Sequence, residues 1–116
     1  MKEIDEANKT WEQREGYSKK VLYPAKELPG KTNQLQRMQI KKGQKVKEHY
    51  HKNTSELFYC MSGKAIFKIN GKTIEMKKGK AVLCEAGEKH EVLEVKEDLE
   101  FLTFKINQKE NDTVWL

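Results

Sequence analysis

The sequence is short of the residues that mark many functional classes. Two cysteines, Cys60 and Cys84, occur among 116 residues and form no C-x-x-C pair, so zinc-finger and dithiol redox motifs are excluded. They read as reduced, small, buried hydrophobes. Apolar residues make up 36% of the chain and never run to membrane-spanning length. The opening stretch MKEIDEANK lacks the apolar core of a signal peptide, so a cytoplasmic location is expected. A basic run is missing too. The net charge of +5 comes from 23 basic and 18 acidic residues with their signs interleaved, which gives a mixed surface rather than a basic stripe. Neither nucleic acid nor a membrane is an expected partner, while a small anionic molecule is compatible with the charge. Helical periodicity is absent beyond the first turns, and no segment repeats. The length suits one domain with one core.

What is present is strand-like alternation. In GYSKKVLYP, from Gly16 to Pro24, Val21 and Tyr23 alternate with Leu22. From Gln34 to Gly43, Met38 and Ile40 share one face while Arg37, Gln39 and Lys41 share the other. Ala65, Phe67 and Ile69 alternate with Lys64, Ile66 and Lys68. The dipeptide Asn70-Gly71 follows, which favours a type I′ hairpin turn, and Ile74 and Met76 then alternate with polar residues. AVLCEAG, HEVLEV and LEFLTFKIN complete the set. Short strands spaced by glycine-bearing turns predict an all-β sandwich or barrel. The expected organisation is an arm and first strand over 1–33, a barrel domain over 34–107 and a tail over 108–116. The arm carries Trp11 and Tyr17, too few apolar residues for a core of its own, and is expected to lie across a neighbouring barrel in a homodimer.

The chain's three histidines fall inside two spaced elements. The first runs Gly43, five residues, His49, one residue, His51, four residues, Glu56, six residues, Gly63. The second runs Gly79, five residues, Glu85, Ala86, Gly87, two residues, His90, three residues, Glu94. Side chains two apart on a strand face the same way, so His49 and His51 can converge on one ion. The same spacing also suits polar residues on a solvated strand.

Together the two elements resemble the paired motifs of the cupin family over about residues 35–107. Glu85 stands where the family's second motif has proline, and Glu94 where it has asparagine. The resemblance implies a double-stranded β-helix, a small jelly-roll barrel. It also implies one metal inside, held by His49, His51, Glu56 and His90. Three imidazoles and a carboxylate suit divalent Fe, Mn, Ni, Co, Cu or Zn. If Glu56 and His90 point inward, period two places Phe58, Cys60, Val92 and Glu94 inside as well, with Val82 and Cys84 from the strand before Gly87. Glu94 is then a candidate general acid–base, or else a rim carboxylate paired with Lys96 or Lys105. The resemblance implies a metalloenzyme of dioxygenase, sugar isomerase or epimerase, or decarboxylase type, acting on a small polar or anionic molecule. A metal-dependent binding module without turnover, and a purely structural metal, stay open beside it.

Overall fold

Two long strands dictate the architecture. The computed structural model describes residues 1–116 as nine strands: β1 (Glu12–Arg14), β2 (Tyr17–Tyr23), β3 (Gln34–Ile40), β4 (Val46–His51), β5 (Ser55–Ile69), β6 (Lys72–Lys77), β7 (Ala81–Cys84), β8 (His90–Ile106) and β9 (Thr113–Trp115). HEVLEV and LEFLTFKIN, read apart in the sequence, are one continuous strand, β8. β5 and β8 pair antiparallel from Ser55↔Ile106 to Ile69↔His90, and each serves two sheets. The first half of β5 lies between β7 and the second half of β8, and that ladder continues through β3 to β2 and β1. The second half of β5 lies between β6 and the first half of β8, and that ladder continues through β4 to β9. Gly63 sits where β5 passes from one sheet to the other, at φ +91°. Asn70 and Gly71, both at positive φ, make the expected turn between β5 and β6.

The inward faces alternate as period two requires. Phe58, Phe67 and Phe101 meet edge to face at centroid distances of 5.7–6.0 Å, the geometry that aromatic quadrupoles favour. Ile40, Met76 and Leu99 are fully buried around them. Met38 packs on this core while Arg37 and Gln39 face outward, where both donate to Glu100.

Three expectations are corrected here. The arm does not project away from the barrel. β1 pairs with β2 of its own chain, Glu6 accepts from Arg37 Nη1 at 2.8 and 2.9 Å, and the Lys20 ammonium lies 4.7 Å over the Trp11 ring. Polar and cation–π contacts seat the arm where an apolar core of its own was lacking.

Residues 108–116 are not a tail. β9 adds to β4 through His49↔Trp115, Tyr50↔Val114 and His51↔Thr113. Asp112, buried just before it, accepts five hydrogen bonds from the backbone and side chains of Asn53 and Thr54. Burial alone would raise this carboxyl, but those bonds hold it down at about 2. Asp112→Ala is therefore expected to cost about 2 kcal/mol near neutral pH. A carboxyl depressed in the folded state contributes fully above its unfolded value of 3.8 and loses that contribution as pH falls toward about 2. Urea unfolding of variant and wild type at pH 7 and near pH 2 checks this: the gap should be full at the first and much smaller at the second.

The third correction concerns Glu94. Between Phe67↔Val92 and Ile66↔Glu94 the ladder slips, with Leu93 as the extra residue on β8. The bulge inverts the alternation beyond it, so Val92 and Val95 are both buried and Glu94 is exposed.

Candidate metal centre

His49 and His51 project from the same face of β4, and His90, the first residue of β8, is paired with His49 in the ladder. The three imidazoles bring one nitrogen each to within 4.8 Å of one another. Their ring centroids are 4.1 Å apart for His49 and His90, and 5.3 Å for the other two pairs.

The other nitrogen of each ring is already committed. His49 Nδ1 donates to the Lys47 carbonyl at 2.8 Å, and His90 Nδ1 to the Glu88 carbonyl at 3.1 Å. A carbonyl oxygen only accepts, so both rings carry a proton on Nδ1 and turn Nε2 toward the cluster. His51 Nδ1 is 2.9 Å from Thr113 Oγ1 on β9. Ligating histidines are characteristically fixed in this way through their second nitrogen.

Glu56, on β5, closes the group from the facing sheet. Its Oε1 is 2.6 Å from His51 Nε2 and 3.3 Å from His90 Nε2. Burial would raise this carboxyl, but the hydrogen bonds from His51 and His90 outweigh it and hold Glu56 well below the ordinary carboxylate range. Burial pushes His90 down, yet its bonds to Cys84 and Glu56 lift it above the ordinary imidazole range. His49 is lowered to about 4, first by burial and then by the charge of His90, so its ring is neutral at neutral pH. The cluster thus favours positive charge at His90, between the ionised Glu56 carboxylate and the neutral ring of His49. That donor chemistry fits a divalent transition metal: nitrogen and oxygen donors, no thiolate, and rings held at their far side.

The cluster opens into a cavity of about 100 Å³ bounded by Tyr17, Lys19, Met38, Phe58, Lys105 and Trp115, among others. Phe58 and Val92 line it as the alternation requires, whereas Cys60 and Cys84 are buried in the core behind. Glu94 does not line it. Two residues of β9 shape the site without any warning in the sequence. Thr113 holds His51, and the Trp115 ring lies 4.5 Å from that of His49. The strand-favouring triplet Thr-Val-Trp was the available signal, too short to show a period.

Residues 36–105 match the family model described as a cupin domain. The oxalate-binding protein of Thermotoga maritima is 32% identical over 76 residues, which cover 65% of this chain and 63% of that protein. The chain spans less than two thirds of the length of the curated relatives it matches, 63% and 53% in two cases. Among solved structures, a Thermotoga maritima protein described as a predicted oxalate decarboxylase has a TM-score of 0.78 at 24% identity, covering 92% of this chain and 100% of that one. The Streptomyces protein PAC13, solved with uridine, has a TM-score of 0.79 at 14% identity, covering 98% of this chain and 89% of that one. At these identities the two structures speak for a shared fold.

Proposed function

The chain belongs to the cupin family, and on that premise we propose that it holds one divalent transition metal on His49, His51, His90 and Glu56 and uses it on a small polar or anionic molecule. The observation that carries this reading is the convergence of three imidazoles whose Nδ1 atoms are each tied to a fixed partner. When bound, the ion would supply a Lewis acid that polarises an oxygen of the ligand. The chain's own groups do the rest. Burial raises the Tyr17 phenol, so it keeps its proton and can donate a hydrogen bond at the cavity wall. Met38, Phe58 and Trp115 present apolar surface that displaces water from the ligand.

The names found among similar Thermotoga maritima proteins, oxalate-binding protein and predicted oxalate decarboxylase, support a small carboxylate as the ligand and decarboxylation as the first reaction to assay. Binding without turnover is the second reading. It is favoured by the outward position of Glu94, which leaves the cavity without the acid–base group that the sequence suggested. Metal analysis of protein purified without added metal, followed by assay of the loaded protein on small carboxylates, tests both. About one ion per chain is expected. A protein that neither carries nor takes up metal would overturn the reading.

Because His90 is held protonated beside Glu56, it must lose that proton to ligate. Metal uptake is therefore expected to release a proton, and affinity to rise with pH. Calorimetric titration in buffers of different ionisation enthalpy measures the release directly. Equal heats in every buffer would contradict it.

We place the chain in the cytoplasm, a reading supported by two free, buried cysteines; no helix is long and apolar enough to cross a membrane. We also propose a homodimer, through the outer face of the β7–β5–β8 sheet and not through the arm. Leu57, Tyr59 and Leu83 are 40%, 48% and 51% exposed there. They are contiguous in the ladder, with Leu57 beside both Leu83 and Phe104, and Tyr59 beside Leu102. A patch of this kind can meet its own copy across a two-fold axis. Light scattering should give twice the 13.6 kDa chain mass, and Leu57→Asp should return it to one.

A further inference from the structure

The cavity carries two cations that no ion pair engages. Lys19 on β2 and Lys105 on β8 both line it. In the ladders Lys19 lies opposite Met38, and Lys105 lies opposite Gln34 and Glu56, so both belong to inward-facing rungs. Neither ammonium takes part in any ion pair, whereas Lys20, Lys47, Lys64 and Lys77 are paired with Glu6, Glu15, Glu97 and Glu75. The carboxylates that line the same cavity are Glu56, already engaged by His51 and His90, and Glu91. Burial lowers Lys19 most, the charges of Lys105 and Arg14 lower it further, and the carboxylates of Glu12 and Glu56 offset this only in part. The two lysines therefore repel each other in a half-buried place. A partly desolvated cation with no carboxylate in contact is unfavourable, and an anion entering the cavity relieves it.

Resting on the metal reading above, we propose that Lys19 and Lys105 anchor a carboxylate of the ligand while its other oxygens lie at the metal centre, so that the molecule taken is a small hydroxy- or oxo-dicarboxylate. The size agrees. At roughly 10–15 Å³ per water-sized space, a cavity of about 100 Å³ admits roughly seven to ten non-hydrogen atoms, a diacid of about four or five carbons. The apolar stretch formed by Met38 and Phe58 suits the carbons between the two polar ends.

The test uses cobalt(II) as the metal, with malate and 2-hydroxyglutarate as diacids and lactate as the monoacid that keeps the same chelating head. Cobalt uptake is measured first, and then each acid is titrated into the loaded protein. At least one diacid is expected to bind about tenfold or more tightly than lactate, because charge-assisted bonds to two lysines add to the shared head. Lys19→Gln and Lys105→Gln should each erode that ratio, weakening the diacid by a larger factor than lactate, with cobalt uptake retained. No cobalt uptake by the wild type would sink the metal reading and the anchor together. Normal uptake with equal binding of diacid and monoacid, with no binding of either diacid, or with lysine variants that weaken lactate as much as diacid would overturn the anchor alone.

Discussion

Replacing His90 by alanine is expected to lower the affinity for a divalent transition metal by more than about 100-fold. The scale follows from what His90 does. Loss of a group that only orients a ligand characteristically costs 10- to 100-fold in affinity. In the proposed site His90 would contribute a donor nitrogen itself, from the strand paired with His49, so its removal would leave two imidazoles on β4 and one carboxylate on β5. Thr113→Val supplies the internal standard. It removes the hydroxyl that holds His51 Nδ1 at 2.9 Å but leaves every donor in place, so its loss should fall within about 10- to 100-fold. The expected order is wild type, Thr113→Val, then His90→Ala, read by competition against a chelating dye, with circular dichroism to confirm that the barrel persists. Equal metal affinity in His90→Ala and the wild type would detach β8 from the site.

Legibility in the sequence followed the period of two. Where strands run without interruption, from Met38 to Ile40, Glu56 to Cys60 and Ala65 to Ile69, alternation predicts the inward faces that the structure has. The spacing of His49, His51, Glu56 and His90 singled out side chains that the fold brings together across two sheets. The failures have physical causes. A single extra residue, Leu93, reverses the faces beyond it, and nothing in HEVLEV announces a bulge. β9 is three residues long, so Thr113 and Trp115 had no period to reveal them. Lys19 drew no reading and Lys105 only one as a rim partner of Glu94, because composition cannot show which rung of a ladder faces a cavity. The arm was misplaced because Glu6 and Arg37, which fasten it, lie too far apart in the chain for local patterning to join them.

Gly63→Ala is expected to be severely damaging to the scaffold, lowering stability by at least about 3 kcal/mol. Two effects add. At φ +91° any L side chain is strained, which costs about 1–2 kcal/mol. In addition, a Cβ built there would lie 2.1 Å from the Asp98 carbonyl oxygen, with the Leu99 Cα at 2.7 Å. Those are backbone atoms of β8 at the point where β5 crosses between the sheets, so neither can yield without separating the two central strands. Gly79 shows the first effect alone. It has nearly the same φ, +87°, but a Cβ there meets nothing within 4 Å. Gly79→Ala should therefore cost only the conformational part, about 1–2 kcal/mol. Urea unfolding of the two variants measures the difference. Should Gly63→Ala prove no worse than Gly79→Ala, the two strands would not be in close contact at the crossing, and the join between the sheets would have to lie elsewhere along β5.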